Sequence, residues 1–545
     1  MDKPFAITLD PGSSLANHTG SWRTARPSYV DHLPPCNQGC PTGENIQGWL
    51  YHAESGQYEA AWRVLVQDNP MPAVTGRVCY HPCEGACNRA RLDSAVSIHA
   101  VERFLGDEAI KQNWQFARPP AMSGKRVLVV GAGPSGLSAA YHLARLGHAV
   151  EVREAGPMAG GMMRFGIPKY RLPRDVLDAE IRRIEQLGVT IRLNTKVEHL
   201  LKARDEGGFD AAFVAVGAHV SKRAWVPAGE AARIMDALSV LRSVELGEKP
   251  LLGRRVLVYG GGNTAIDVAR TARRLGAEEA VIIYRRTRDR MPAHDSEVQE
   301  ALDEGVMFRW LSTIKIGADA GAHEQFTIEK MALDENGFPQ PTGEFEQIEA
   351  DSLVLALGQD VDLSLLDDVP GLQLTDGMVS VDSNMMTACP GIFAGGDMVP
   401  AERTVTVALG HGKKAARHID SWLRGVSPAV AEKHPVATFE RLNTWYYTDA
   451  PRSVQQELER VRRESTFDEV VSGLNADTAL FEARRCLSCG NCFECDNCYG
   501  VCPDNAVIKL GPGKRFKINL DYCKGCGLCA AECPCGAIEM VPETI

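Results

Sequence analysis

The sequence predicts an α/β protein. Two interleaved domains built on parallel sheets are expected, with an α-helical domain before them and a small α+β domain after them. Three observations predict this. A strand, glycine-rich turn, helix and strand occur in that order twice, starting at Arg126 and again at Arg255. The stretch before residue 120 reads as helical and irregular and holds five cysteines. Residues 484–545 hold 11 of the 17 cysteines.

Composition sets the bounds. At about 150 residues per domain, 545 residues suggest three or four domains. Hydrophobic residues at 44% and charged residues at 24% are ordinary for a globular chain. No run of about 18 apolar residues is present, so no membrane span is expected. The opening Met1–Phe5 lacks a basic and then apolar leader. A cytoplasmic location is therefore expected, where clustered cysteines bind metal more often than they form disulfides. A net charge of −11 argues weakly against nucleic acid as a partner.

The first repeat begins with a buried strand, Arg126–Val130, and the turn Gly131-Ala132-Gly133-Pro134-Ser135-Gly136. A helix and a strand over 149–154 follow, ending in Glu154. This is the Rossmann-type fingerprint: Gly131 makes the turn, Gly133 admits a pyrophosphate, and Gly136 packs helix on strand. The phosphates sit at the helix N-terminus, where free N–H groups and the dipole favour anions. Glu154 suits an unphosphorylated ribose, as in FAD or NAD.

The second repeat has the strand Arg255–Tyr259, the turn Gly260-Gly261-Gly262-Asn263-Thr264-Ala265, a helix, and a strand over 280–286. Leu146-Gly147 aligns with Leu275-Gly276. After a two-residue insertion, Ala149–Glu154 aligns with Ala280–Arg285, which would give Glu154 and Arg285 the same position. Arg285 and Arg286, with Arg288 and Arg290 behind, suit a 2′-phosphate and hence NADP, with NAD as the alternative.

A third motif, Gly391-Ile-Phe-Ala-Gly395-Gly396-Asp397, precedes a helix start at Thr404–Gly412. Asp397 could bind a flavin ribityl chain, and the following helix N-terminus could stabilise negative charge on a flavin. Buried strands at 213–217 and 353–358 end in Gly217 and Gly358. Five parts are expected: a helical iron–sulfur domain (1–120), an FAD domain (121–250 and 361–425), an NAD(P) domain (251–360), a connector (426–483) and the cysteine-rich tail (484–545).

These motifs resemble the small, flavin-containing subunit of glutamate synthase, a family that includes the flavin half of dihydropyrimidine dehydrogenase and the NADPH-binding subunit of bifurcating transhydrogenases. The resemblance rests on Gly160–Pro173, Tyr284–Ala293 and Gly391–Asp397 besides the glycine-rich turns, and covers roughly residues 34–425. It implies that Gly161, Met162, Arg171, Val197, Asp397 and Thr404 neighbour a flavin. It places Asn263, Thr264, Arg285, Arg286, Arg290 and Gly358 beside NADP. It also implies a cluster held by Cys40, Cys79, Cys83 and Glu102. The chain departs from the family's first cysteine group, of which only Cys36 and Cys40 remain. The missing Cys-Leu-x-Cys pair resembles Cys486-Leu487-Ser488-Cys489 near the other end, so Cys36, Cys87, Cys486 and Cys489 are expected to form a further cluster.

The tail reads directly. Cys492, Cys495, Cys498 and Cys502-Pro503 are followed at a 31-residue repeat by Cys523, Cys526, Cys529 and Cys533-Pro534. This is the two-cluster ferredoxin spacing, in which each fourth cysteine binds the other cluster. One set is Cys492, Cys495, Cys498 and Cys533; the other is Cys523, Cys526, Cys529 and Cys502. Cys535 aligns with Asp504 and is not expected to be a ligand. His81, His294 and His411 have no partner pattern and are expected to be structural, and no general acid, base or nucleophile is assigned. The parts imply hydride exchange between NAD(P)H and FAD, and single-electron transfer through four [4Fe–4S] clusters. The electrons go to a ferredoxin or to a catalytic subunit of a larger complex, with a 2-oxoacid oxidoreductase favoured over a glutamate synthase or a free-standing NAD(P)H:ferredoxin reductase.

Overall fold

The computed structural model describes residues 18–21, 23–222, 233–315, 325–427 and 433–543. The Met1–Phe5 opening lies outside the described residues. Two five-stranded parallel sheets carry the middle of the chain. The first runs in the order Ile392–Ala394, Ala211–Val214, Arg126–Val130, Ala149–Arg153, Thr190–Arg192. Its central strands are apolar runs buried on both faces, as parallel strands between helices must be. The second runs Met307–Arg309, Glu279–Ile283, Arg255–Tyr259, Ser352–Leu355, Arg233–Asp236.

The chain therefore enters the second sheet at Arg233, ahead of the expected boundary at 251. It returns to the first sheet through Ile392–Ala394. A three-stranded antiparallel sheet, formed by Ser312–Ile314, Gln325–Leu333 and Pro339–Glu349, is inserted in the second domain and was not legible as such.

The register corrects the alignment of the repeats. Val130 pairs with Arg153, and Tyr259 pairs with Ile283. Tyr284, not Arg285, therefore stands where Glu154 stands. The backbone agrees: Glu154 N–H donates to Arg192 at 2.9 Å, and Tyr284 N–H donates to Arg309 at 3.0 Å. The insertion is one residue, not two, because Arg126 pairs with Ala149 while Arg255 pairs with Glu279. Matching Ala280 to Ala149 by identity slipped the strand by one.

Helix Pro134–Arg145 follows the first glycine turn and Asn263–Arg274 the second. The long helix Val405–Arg424 crosses the former closely. At Gly412 a Cβ would lie 2.2 Å from Ser135 O, so only glycine allows this approach.

The amino-terminal helices Ile46–Ala53, Tyr58–Leu65, Pro72–Val78 and Ile98–Lys111 bury Trp49, Trp62 and Leu65. The two ends of the described chain meet: Ala25–Tyr29 pairs antiparallel with Ile538–Pro542. Thr19 Oγ1 donates to the Cys523 carbonyl at 2.8 Å. Residues before the helices thus belong physically with the tail.

Candidate functional site

The first cavity, about 500 Å³, opens in front of the Gly131–Gly136 turn. The three glycines do different work. At Gly131, φ is +102° and a Cβ would meet Ala215 O at 2.4 Å. At Gly136 a Cβ would lie 1.9 Å from Gly131 O, so helix and turn pack without a side chain. At Gly133 the nearest atom to a Cβ would be Gly161 Cα at 3.9 Å, which leaves open space at the helix N-terminus. That opening, with Pro134 and Ser135 beside it, fits a pyrophosphate. Glu154 lines the same cavity, and its carboxylate accepts from Ala132 N–H and Gly156 N–H, both at 2.8 Å. Gly161, Met162, Val197, Gly396 and Asp397 line it further in. Burial pushes the Asp397 carboxyl above the usual range.

The second cavity, about 900 Å³, faces the other turn. Gly262, Asn263 and Thr264 lie at its floor, and Ala265 is buried in the helix behind them. Arg285, Arg286, Arg290 and Gly358 line its wall. Arg286 Nε is buried without a partner, and among the described residues no carboxylate pairs with Arg285 or Arg286. Such a pair fits an anion as large as a 2′-phosphate.

Two of the residues expected beside a flavin are placed on the other side of the shared wall. Arg171 and Thr404 line the second cavity, not the first. Arg171 is locked by Asp267 at 2.9 Å and by Glu297. These buried carboxylates hold its guanidinium firmly charged. Thr404 caps the helix Val405–Arg424, accepting from Val407 N–H at 3.2 Å. Pro134, Met162, Ala218 and Asp397 line both cavities, so the two open onto each other there.

The cysteines gather in four groups. Cys40, Cys79, Cys83 and Glu102 converge: burial pushes the Cys83 thiol up, and the charges of Cys40, Cys79 and Glu102 push it further. Glu102 Oε1 accepts from Asn69 Nδ2 at 2.9 Å and from Thr75 Oγ1. Burial and the neighbouring Glu44 raise the Glu102 carboxyl. Among the described residues no cation pairs with it. A buried carboxyl beside three thiols, with no cationic side chain paired to it, matches the donor set of a metal cluster. The group lies against the helix after Asp397, since Cys79 Sγ is 3.8 Å from Thr406 Oγ1 and Gly410 packs on Pro41.

Cys36, Cys87, Cys486 and Cys489 line one small cavity together, although 402 positions separate Cys87 from Cys489. Burial raises Cys36, and Cys486, Cys87 and Cys489 raise it further. In the tail, Cys502, Cys523, Cys526 and Cys529 line another small cavity. Cys498 is raised by burial and by Cys492, Cys495 and Cys533, which completes the crossed arrangement. Tyr29, from the other end of the chain, places its hydroxyl 3.2 Å from Cys498 Sγ.

A group the sequence did not single out is His81, Glu84 and His99, whose ligand-type atoms lie within 4.8 Å of one another. The two imidazoles stack at 3.7 Å and 20°, so their lone pairs lie in separate, near-parallel planes, a poor arrangement for sharing one ion. Glu84 is held by His99 Nδ1 at 2.6 Å and by Arg452 Nη2 at 2.7 Å. His294 Nδ1 contacts Ser296 Oγ at 2.9 Å, and His411 Nδ1 accepts from Gly396 N–H at 3.2 Å.

The family model for pyridine nucleotide-disulphide oxidoreductases matches residues 125–412, the stretch that builds the first cavity and most of the second. The chain belongs to that family. Two further models match this oxidoreductase: dihydropyrimidine dehydrogenase domain II, 4Fe-4S cluster, over residues 25–114, and a 4Fe-4S dicluster domain over residues 491–537. The NADP(+)-dependent formate dehydrogenase subunit beta of Moorella thermoacetica is 37% identical over 502 residues, 84% of this chain and 70% of that protein. The NADPH-Fe(3+) oxidoreductase subunit beta of Geobacter sulfurreducens is 34% identical over 515 residues, 85% of this chain and 76% of that one. The glutamate synthase [NADPH] small chain of Escherichia coli is 32% identical over 429 residues, 72% of this chain and 89% of that one. The oxidoreductase is an NAD(P)H-dependent enzyme of the flavin and iron–sulfur electron-transfer type, as its motifs predict. No described helix is long and apolar enough to cross a membrane.

Proposed function

We propose that the chain is the NADP(H)- and FAD-binding electron-transfer subunit of a larger, cytoplasmic redox complex. FAD belongs in the first cavity, NADP(H) in the second, and a [4Fe–4S] cluster in each of the four cysteine groups. Bound there, FAD would exchange hydride with the nicotinamide and single electrons with the clusters. The chain's own residues position. Glu154 takes the ribose of the first nucleotide, and Arg285, Arg286 and Arg290 take the 2′-phosphate of the second. Asn263 and Thr264 meet its pyrophosphate at the helix N-terminus. Asp397 and Met162, on the wall shared by both cavities, hold the two ring systems against each other.

One observation carries this reading: short covalent links join the four groups in series. Cys36 to Cys40 and Cys83 to Cys87 join the first group to the second. Cys489 to Cys492 joins the second to the inner tail group, Cys492, Cys495, Cys498 and Cys533. Cys498 to Cys502 and Cys529 to Cys533 join that to the outer tail group, Cys502, Cys523, Cys526 and Cys529. The series begins beside the second cavity and ends at the outer tail group; Cys526 of that group and Cys495 of the inner group are both exposed, and the outer group is the terminal one. The outer tail group is thus the port to the partner.

The partner supplies the carbon or metal substrate. A 2-oxoacid oxidoreductase is the partner favoured from the sequence. The names of the relatives extend the same role to formate and ferric iron. The test is anaerobic purification of the native complex, followed by transfer assays on Cys526→Ser. Flavin bleaching by NADPH should persist, and transfer to the copurified partner should be lost. Unchanged transfer would place the port elsewhere. A native particle holding this chain alone would overturn the subunit reading in favour of a free-standing reductase.

A further inference from the structure

Two residues after the crossed cysteine, the two halves of the tail carry different side chains. In the outer group, Cys502 Sγ accepts from Ala506 N–H at 3.2 Å. In the inner group, Cys533 Sγ accepts from Ala537 N–H at 3.4 Å. The repeat thus gives each crossed cysteine the same backbone donor, four residues on. Between them lies Asp504 in one half and Cys535 in the other. Asp504 lines the outer group's cavity and pairs with Lys524 at 3.7 Å. Cys535 is buried at 2% exposure, with its Sγ 3.7 Å from Cys533 Sγ.

Each iron of a cubane takes one protein thiolate, and two sulfurs in contact do not reach separate irons. Only one of Cys533 and Cys535 is then a ligand. The crossed spacing assigns that role to Cys533. A metal-bound thiolate is an acceptor, and the adjacent Cys535 S–H is a donor.

We propose that Cys535 donates a hydrogen bond to the Cys533 ligand and raises the reduction potential of the inner tail cluster. The proposal rests on the tail ligand sets given above. Hydrogen bonds to cluster sulfurs favour the reduced, more negative state, and nearby carboxylates disfavour it. Cys535 is a positioning residue in this role: it touches the ligand and not the iron. It sets the inner cluster above the potential that a carboxylate, as at Asp504, would give it. The inner cluster then accepts electrons more readily when they pass from the port toward the flavin site.

The test is a potentiometric EPR titration of the anaerobic holoprotein with Cys535→Ala and Cys535→Ser, alongside iron analysis. Cys535→Ala should keep the full iron content. At a fixed potential it should lower the reduced-to-oxidised ratio of one tail cluster by about tenfold, about 59 mV for one electron. Cys535→Ser keeps a donor and should restore most of that shift. An Ala variant with wild-type potentials overturns the proposal. So does a Ser variant shifted as far as Ala, since packing would then be the cause. Loss of one cluster's iron in Cys535→Ala would make Cys535 a ligand and also overturn it. Wild-type protein without two tail signals would instead sink the ligand sets themselves, a failure the variants do not mimic.

Discussion

Glu154 and Tyr284 stand at the same place in the two sheets, and their side chains do opposite things. Glu154 reaches back to its glycine turn and accepts from Ala132 N–H at 2.8 Å. Tyr284 lays its ring where a Gly261 side chain would be, with Cδ2 2.4 Å from an added Cβ. Its hydroxyl donates to the Arg290 carbonyl at 2.7 Å. The second turn therefore has an aromatic ring where the first has a carboxylate. The loop carrying Arg285, Arg286 and Arg290 is pinned over it. The arginines that follow are the charged groups this loop presents to the second cavity.

The arginines should decide the nicotinamide preference. With an artificial acceptor, kcat/KM for NADPH should exceed that for NADH. The double change Arg285→Ala and Arg286→Ala should cost roughly 1–3 kcal/mol of transition-state stabilisation with NADPH and little with NADH, the scale of lost charged hydrogen bonds. Equal values for the two nucleotides in the wild type would refute the preference.

The group shared by the two ends of the chain should be countable. Iron per flavin in the anaerobic protein should be about 16 with four cubanes and about 12 with three. Cys36→Ser and Cys486→Ser should each remove about four irons and leave the tail EPR signals in place. A count near 12 that neither change lowers would mean that Cys36, Cys87, Cys486 and Cys489 hold no cluster.

The crossing of helices Pro134–Arg145 and Val405–Arg424 should tolerate no side chain at Gly412. An alanine Cβ would sit 2.2 Å from Ser135 O and 2.7 Å from Ala139 N, both backbone atoms. Gly412→Ala should cost about 1–3 kcal/mol, read as a lower Tm, and should weaken flavin retention because Ser135 lines the first cavity. Gly500→Ala, with no atom within 4 Å of its Cβ, is the control and should stay within about 0.5 kcal/mol of wild type. Equal stability of the two variants would contradict the packing argument.

Much of this protein was legible in the order of its residues. Apolar strands running into glycine turns and helices declared two parallel-sheet domains, because only backbone approach and helix packing demand glycine at those spacings. Gly131, Gly133 and Gly136 each meet the steric condition that the motif implies. The doubled tail spacing predicted its crossed sets, because each set takes three cysteines from one short repeat and one from its neighbour. Charge around Arg285 and Arg286 was legible too, since four arginines against one aspartate over residues 285–290 are read directly from the sequence.

Tertiary structure decided what depends on distance in space. Backbone pairing set the strand register, so only the sheet could show that Tyr284 and not Arg285 is the counterpart of Glu154. Arg171 sits in a sequence stretch shared with flavin neighbours, and its rotation toward Asp267 and Glu297 depends on two helices 96 and 126 positions away. The entry of Arg233–Asp236 into the second sheet follows from pairing with Ser352–Leu355, a partner no local pattern announces. Cys36, Cys87, Cys486 and Cys489 were linked in sequence only by a displaced motif. The antiparallel pairing of Ala25–Tyr29 with Ile538–Pro542 brings the chain's ends together, and with them the four sulfurs. Sequence spacing specifies which atoms can meet locally; contacts across hundreds of residues are specified by the packing of whole elements.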